Sequence, residues 1–135
     1  MKLKLAIVED DHDLREGFEL FLQSCTEFEQ VRAYSAAEGF LLEFEAWLPD
    51  VVLMDIQLPG INGIEALARA KKIRPETDVV MLTIYNDQQR IFDSLCAGAT
   101  GYLLKNTPLA ELKAGILSVH AGGSPMSPEI ARKVV

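Results

Sequence analysis

Val51-Val52-Leu53-Met54-Asp55-Ile56-Gln57-Leu58-Pro59-Gly60-Ile61-Asn62-Gly63 is the stretch that decides the fold. Val51 to Met54 form an apolar run of strand length, uninterrupted by polar residues, as in a strand covered on both faces. Pro59-Gly60 and Asn62-Gly63 then supply turn chemistry, and Ile64, Leu67 and Ala68 recur at helical spacing. The stretch predicts a strand, a loop and a helix, with Asp55 at the carboxyl end of the strand.

The same unit repeats outward in both directions. Leu3-Lys4-Leu5-Ala6-Ile7-Val8 reads as a strand that stops at Glu9-Asp10-Asp11, and Leu14, Phe18, Phe21, Leu22 and Cys25 follow at helical intervals. Val31 with Tyr34 marks a weaker strand. Ser35 is the expected N-cap of a helix carrying Ala37, Phe40, Leu41, Phe44 and Leu48, closed by Pro49-Asp50. Downstream, Val79-Val80-Met81-Leu82 and Tyr102-Leu103-Leu104 are buried strands separated by a helix around Ile91 and Leu95. Leu109, Leu112, Ile116 and Val119 give the last full helical stripe. Strand and helix alternating over five units imply an α/β, doubly wound parallel sheet with right-handed crossovers and helices on both faces.

The length, 135 residues, suits one domain, and 49% hydrophobic with 24% charged residues is ordinary soluble composition. No apolar run approaches the ~20 residues of a membrane span. Met1-Lys2-Leu3-Lys4 leads to acids rather than to the apolar core of a signal peptide, so the cytoplasm is the expected compartment. Cys25 and Cys96 lack metal-ligand spacing and are expected to be reduced and buried. Thirteen basic against twenty acidic residues give a net charge of −7, which repels nucleic-acid phosphates, so this chain alone is not expected to bind DNA.

In open parallel sheets, ligands bind beyond the carboxyl ends of the strands, where strand order reverses. That rule gathers Glu9, Asp10, Asp55, Thr83 and Lys105 on one rim. Two carboxylates about 4 Å apart repel by about 4 kcal/mol at an effective dielectric near 20, so the cluster needs counter-charge. Lys105 and a divalent cation would provide it. An all-oxygen donor set selects a hard ion, Mg²⁺ with Mn²⁺ as a substitute. Asp55, already ionised, can then attack a phosphoryl group without an external base, with the metal and Lys105 neutralising charge and the Thr83 hydroxyl donating a hydrogen bond.

Ile7-Val8-Glu9-Asp10-Asp11, Leu53 to Gly63, Leu82-Thr83 and Gly98-Ala99-Thr100-Gly101-Tyr102-Leu103-Leu104-Lys105 resemble the signatures of response regulator receiver domains, in the family's order and spacing. The resemblance covers nearly the whole chain and implies a flavodoxin-like (CheY-like) five-stranded sheet of order 2-1-3-4-5. It further implies Asp55 as phosphoacceptor and metal ligand, Asp10 as a direct ligand, Glu9 as a ligand through water, and Gln57 as a ligand through its backbone carbonyl. Thr83 and Lys105 would bind the phosphoryl group, and Tyr102 would turn inward after Thr83 moves. The implied partner is a sensor histidine kinase, with a homodimer possible on activation and no membrane contact.

Asp11, His12 and Asp13 are expected only to open the first helix, His120 to favour a helix end, and Trp47 to pack. Ile84 stands where the family often has a small residue, and its bulk would narrow access to Asp55. Asn106 stands where many relatives have a proline after a cis peptide, leaving the isomer of Lys105-Asn106 open. From Ala121 to Val134 the chain resembles the segment after the receiver in NarL/LuxR-type regulators, with Gly122-Gly123 ending a helix and Ser127 capping a new one begun by Pro128. Residues 1–122 are thus expected to be the receiver. Residues 123–135 are expected to be a linker with a short helix leading to a helix-turn-helix DNA-binding domain outside this chain; a stand-alone receiver is the alternative. A haloacid-dehalogenase-like phosphatase would need a second Asp where Gln57 stands, and a flavodoxin-like cofactor binder would not put Glu9-Asp10-Asp11 in its phosphate loop.

Overall fold

A computed structural model describes residues 2–134. Strands β1 (Leu3–Val8), β2 (Phe28–Tyr34), β3 (Val51–Met54), β4 (Asp78–Thr83) and β5 (Gly101–Leu104) alternate with α1 (His12–Gln23), α2 (Ala37–Trp47), α3 (Gly63–Ile73), α4 (Gln88–Cys96) and α5 (Leu109–His120), and α6 (Pro128–Val134) ends the chain. All pairings are parallel, in the order β2-β1-β3-β4-β5, as expected.

Strand periodicity sorts the apolar residues between two cores. Leu3, Leu5, Ile7, Val51, Leu53, Val80 and Leu82 face α1 and α5 with Phe18, Leu22, Leu112, Ile116 and Val119. Ala6, Val8, Val52, Met54, Val79, Met81, Tyr102 and Leu104 face Phe40, Phe44, Leu67, Ala70, Ile91 and Ile130 on the other side. The central strands β1, β3 and β4 have apolar neighbours on both faces, which is why they read as nearly unbroken apolar runs.

Local signals placed the elements better than their caps. Asp11, Asn62 and Asp87 cap α1, α3 and α4 by accepting from Leu14, Glu65 and Arg90 amides. Ser35 does not cap α2: the N-cap is Ala36, without a side-chain bond, and Ser35 lies one residue too early. β2 begins at Phe28, earlier than Val31, because pairing to β1 rather than its own apolarity extends it. Cys96 is exposed and Cys25 half-buried, both free thiols; α4 buries the face of Ile91 and Ser94, from which Cys96 points away. No peptide bond among the described residues is cis, so Lys105–Asn106 is trans.

The segment after α5 is docked. Tyr102 forms a parallel bridge with Met126, and α6 buries Ile130 in the core shared by Ile91 and Tyr102. Ser127 precedes α6 as expected, but its hydroxyl accepts from the Leu104 amide of β5. No helix among the described residues is long and apolar enough to cross a membrane.

Candidate functional site

Register brings the polar strand ends together. Val8 pairs with Met54, so Glu9 and Asp55 are the next residues of adjacent strands, and the Asp55 amide donates to the Val8 carbonyl at 3.1 Å. Thr83 pairs with Leu104, and the Lys105 amide donates to the Thr83 carbonyl at 2.9 Å. Gly63 lets the loop after β3 close: its amide donates to the Ile56 carbonyl at 2.9 Å, and any side chain there would collide with the Asp55 carbonyl.

Lys105 Nζ lies 2.7 Å from Asp55 Oδ2 and 2.7 Å from Glu9 Oε1. Both carboxylates are buried, Asp55 4% and Glu9 2% exposed, whereas Asp10 is exposed. Asp55 Oδ1 accepts from the Ile56 amide at 2.7 Å and Glu9 Oε2 from the Asp11 amide at 3.0 Å. Glu9 Oε1 is shielded from solvent, and its contact with Lys105 is a charge contact without the alignment of a hydrogen bond. Burial pushes the Glu9 carboxyl above its usual range, against the pull of Lys105 and the Asp11 amide. Burial also disfavours the Lys105 ammonium, but Asp55 and Glu9 outweigh it and hold its pKa above the ordinary lysine value.

Oxygens of Glu9, Asp10 and Asp55 all lie within 4.8 Å of one another. Three carboxylates against one ammonium leave a charge deficit, and the donor set is hard oxygen throughout, so these residues fit a small divalent cation. Sequence reasoning missed Arg15, whose guanidinium donates to the Glu9 and Asp10 carbonyls at 2.9 and 3.3 Å; its signal was a base in the first turns of α1 beside two acids. It also missed Tyr85, whose amide donates to Thr83 Oγ1 at 3.3 Å and whose hydroxyl donates to Gln57 Oε1 at 2.6 Å. Thr83 is fully buried, and Tyr102 is fully buried with its hydroxyl donating to the Tyr85 carbonyl at 2.8 Å. Ile84 is 70% exposed.

Residues 5–117 match the family described as response regulator receiver domain. The chain belongs to this family. The receiver is 34% identical over 133 residues to an uncharacterized transcriptional regulatory protein, YhcZ, of Bacillus subtilis strain 168, covering 98% of this chain and 62% of that protein. It is 37% identical over 130 residues to response regulator GacA of Pseudomonas protegens, covering 96% of this chain and 61% of that protein. The chain thus spans under two thirds of the length of these relatives. Among solved structures, a LuxR-family two-component response regulator from Aurantimonas sp. SI85-9A1 superposes with a TM-score of 0.91 at 28% identity, covering 99% of this chain and 96% of that one. The receiver is therefore a signalling domain of the two-component type, and its acidic cluster lies at the rim where the sheet order reverses.

Proposed function

We propose that the receiver accepts a phosphoryl group from a sensor histidine kinase on Asp55, with Mg²⁺ held by Asp10, Asp55 and the Gln57 carbonyl directly and by Glu9 through water. One observation carries this reading: Lys105 Nζ sits 2.7 Å from both Asp55 Oδ2 and Glu9 Oε1, beside an exposed Asp10 carboxylate. The cation, when bound, supplies positive charge at the transferring oxygens. Asp55 Oδ1 is oriented by the Ile56 amide, leaving Oδ2 beside Lys105 as the attacking atom. Lys105 is kept charged by its two carboxylates and neutralises oxygen charge during transfer. The Thr83 hydroxyl, one bond from releasing the Tyr85 amide, donates to the new phosphoryl oxygens. Asp55 needs no proton removed in order to attack.

The net charge of −7 keeps DNA away from this domain, so DNA contact and control of transcription would pass through a helix-turn-helix domain beyond residue 135, in a cytoplasmic regulator that pairs on activation. Residues 1–122 would then be the receiver and 123–135 the segment joining it to that domain. Incubation with acetyl phosphate and Mg²⁺, read by intact mass, tests the chemistry: wild type gains one phosphoryl group and Asp55→Asn gains none. A fully labelled Asp55→Asn protein would overturn the assignment. In Mg²⁺ titrations, Asp10→Ala should weaken binding more than Glu9→Ala, because Asp10 is a direct ligand; an equal loss would reverse that ranking.

A further inference from the structure

Glu9, Asp10 and Asp11 lead from β1 into α1 through a turn whose carbonyls are gathered by one residue. Arg15, half-buried in the first turns of α1, donates from Nη1 to the Glu9 carbonyl at 2.9 Å and to the Asp10 carbonyl at 3.3 Å. Its own amide donates to the Asp11 carbonyl at 2.9 Å, so Arg15 serves three consecutive carbonyls. Among the described residues no other donor reaches the carbonyls of Glu9 and Asp10. The guanidinium is itself held, with Nη2 facing His12 Nδ1 at 3.2 Å and His12 Nε2 lying 3.1 Å from Glu16 Oε2. Its N–H groups are fixed in one plane, a geometry that the rotating ammonium of a lysine does not offer.

The two acids of this turn are held differently. The Glu9 carboxylate has contacts of its own, Oε2 accepting from the Asp11 amide and Oε1 facing Lys105. The exposed Asp10 carboxylate accepts from no protein donor among the described residues, so the backbone of the turn alone sets where it points. We propose that Arg15 is the positioning residue of the cation site: by gripping the carbonyls on either side of the Asp10 Cα it fixes the direction of that carboxylate, and so favours Mg²⁺ over the larger Ca²⁺. The inference rests on the cation reading above. Mg²⁺ demands near-octahedral oxygen ligands at about 2.0–2.1 Å, whereas Ca²⁺ accepts irregular shells at about 2.3–2.6 Å, so a loosened carboxylate penalises Mg²⁺ more. Charge acts in the opposite direction. A guanidinium repels a cation, and its removal would tighten binding of both ions if charge were its only effect. The sign of the change therefore separates positioning from charge.

The test is titration of the whole 135-residue chain with Mg²⁺ and, separately, with Ca²⁺, followed by amide chemical shifts, for wild type, Arg15→Gln, Arg15→Lys and Arg69→Gln. Arg69 is an exposed residue of α3 paired with Glu65, and its loss removes the same charge away from the turn. Arg15→Gln should weaken Mg²⁺ binding about tenfold, as loss of a group that orients a metal ligand does, and Ca²⁺ binding by less than about threefold. Arg15→Lys keeps the charge without the planar grip and should still weaken Mg²⁺ more than Ca²⁺; it decides alone if Arg15→Gln loses its fold. Arg69→Gln should leave both affinities within about twofold. Without metal, the Asp11 amide should exchange faster in Arg15→Gln and the Ile56 amide at the wild-type rate, the mark of a loosened turn in an intact fold. Unchanged or tighter Mg²⁺ binding in the Arg15 variants, equal losses of Mg²⁺ and Ca²⁺, or an equal effect of Arg69→Gln would overturn the positioning role while leaving the cation reading intact. A wild-type chain that binds no Mg²⁺ would overturn that reading and the positioning role with it.

Discussion

Lys105 shows how one side chain can hold the site together. Its ammonium faces two buried carboxylates at 2.7 Å, and no second base makes an ion pair with either among the described residues. Removing one partner of a buried charge group is costly because the remaining charges stay desolvated. Lys105→Met should therefore destabilise the fold by about 3 kcal/mol, and Mg²⁺ should restore part of the loss by taking over as counter-charge. Urea unfolding with and without Mg²⁺ checks this; a variant as stable as wild type, or one indifferent to Mg²⁺, would show that the carboxylates are not held by charge balance. Ile84 has the opposite character: it is exposed and its neighbour Thr83 is fully buried, so Ile84→Ala should leave stability within about 0.5 kcal/mol. If its bulk screens Asp55, the same change should speed loss of the phosphoryl group, read by mass over time.

At the scale of elements, the joints between strands and helices carry the constraints. Gly63 begins α3 and lies against the Asp55 carbonyl, so Gly63→Ala must push apart the loop that presents Asp55. Overpacking of this kind costs about 1–3 kcal/mol, and on the proposed function it should also weaken Mg²⁺ binding, since it moves Asp55. A Gly63→Ala protein with normal Mg²⁺ affinity would show that the loop gives way without moving Asp55. Leu48 closes α2 in the left-handed region at φ 46°. That conformation costs a side-chain-bearing residue about 1–2 kcal/mol, and glycine would give back about 0.5–1 in chain entropy, so Leu48→Gly should gain about 0.5–1 kcal/mol in urea unfolding.

Across the whole molecule, burial sets the response to alkali. Tyr102 is fully buried, and burial, followed by the nearby Asp87 charge, pushes its hydroxyl up to about 12. The unfolded chain ionises this tyrosine near 10, so above that pH the unfolded state sheds a proton that the folded state keeps. Stability is fully present below about 10 and falls as pH rises toward about 12, by up to about 1.4 kcal/mol per pH unit for this one group. Tyr34, also pushed up to about 12 by burial and by its bond to Glu43, adds to the fall. Tyr102→Phe should flatten the decline in the urea midpoint between about pH 9 and 11, and an unchanged slope would show that Tyr102 ionises as freely in the fold as out of it.

By itself the sequence determined the alternation of strands and helices, the doubly wound sheet and the rim of Glu9, Asp10, Asp55, Thr83 and Lys105, because apolar periodicity is local and each of these polar residues follows or ends an apolar run. The caps at Asp11, Asn62 and Asp87 are equally local, their bonds reaching only three residues along the chain. Tertiary structure decided the rest, where partners lie far apart in sequence. Ser127 Oγ accepts from the Leu104 amide, 23 residues away, and Gly101 and Gly115 leave room for Pro125. Tyr102 reaches the carbonyl of Tyr85 on the loop after the neighbouring strand. Cys96 is exposed because α4 turns another face inward. A hydroxyl, a glycine or a tyrosine can serve several such partners equally well, and only the packing of one sheet edge against one tail selects among them.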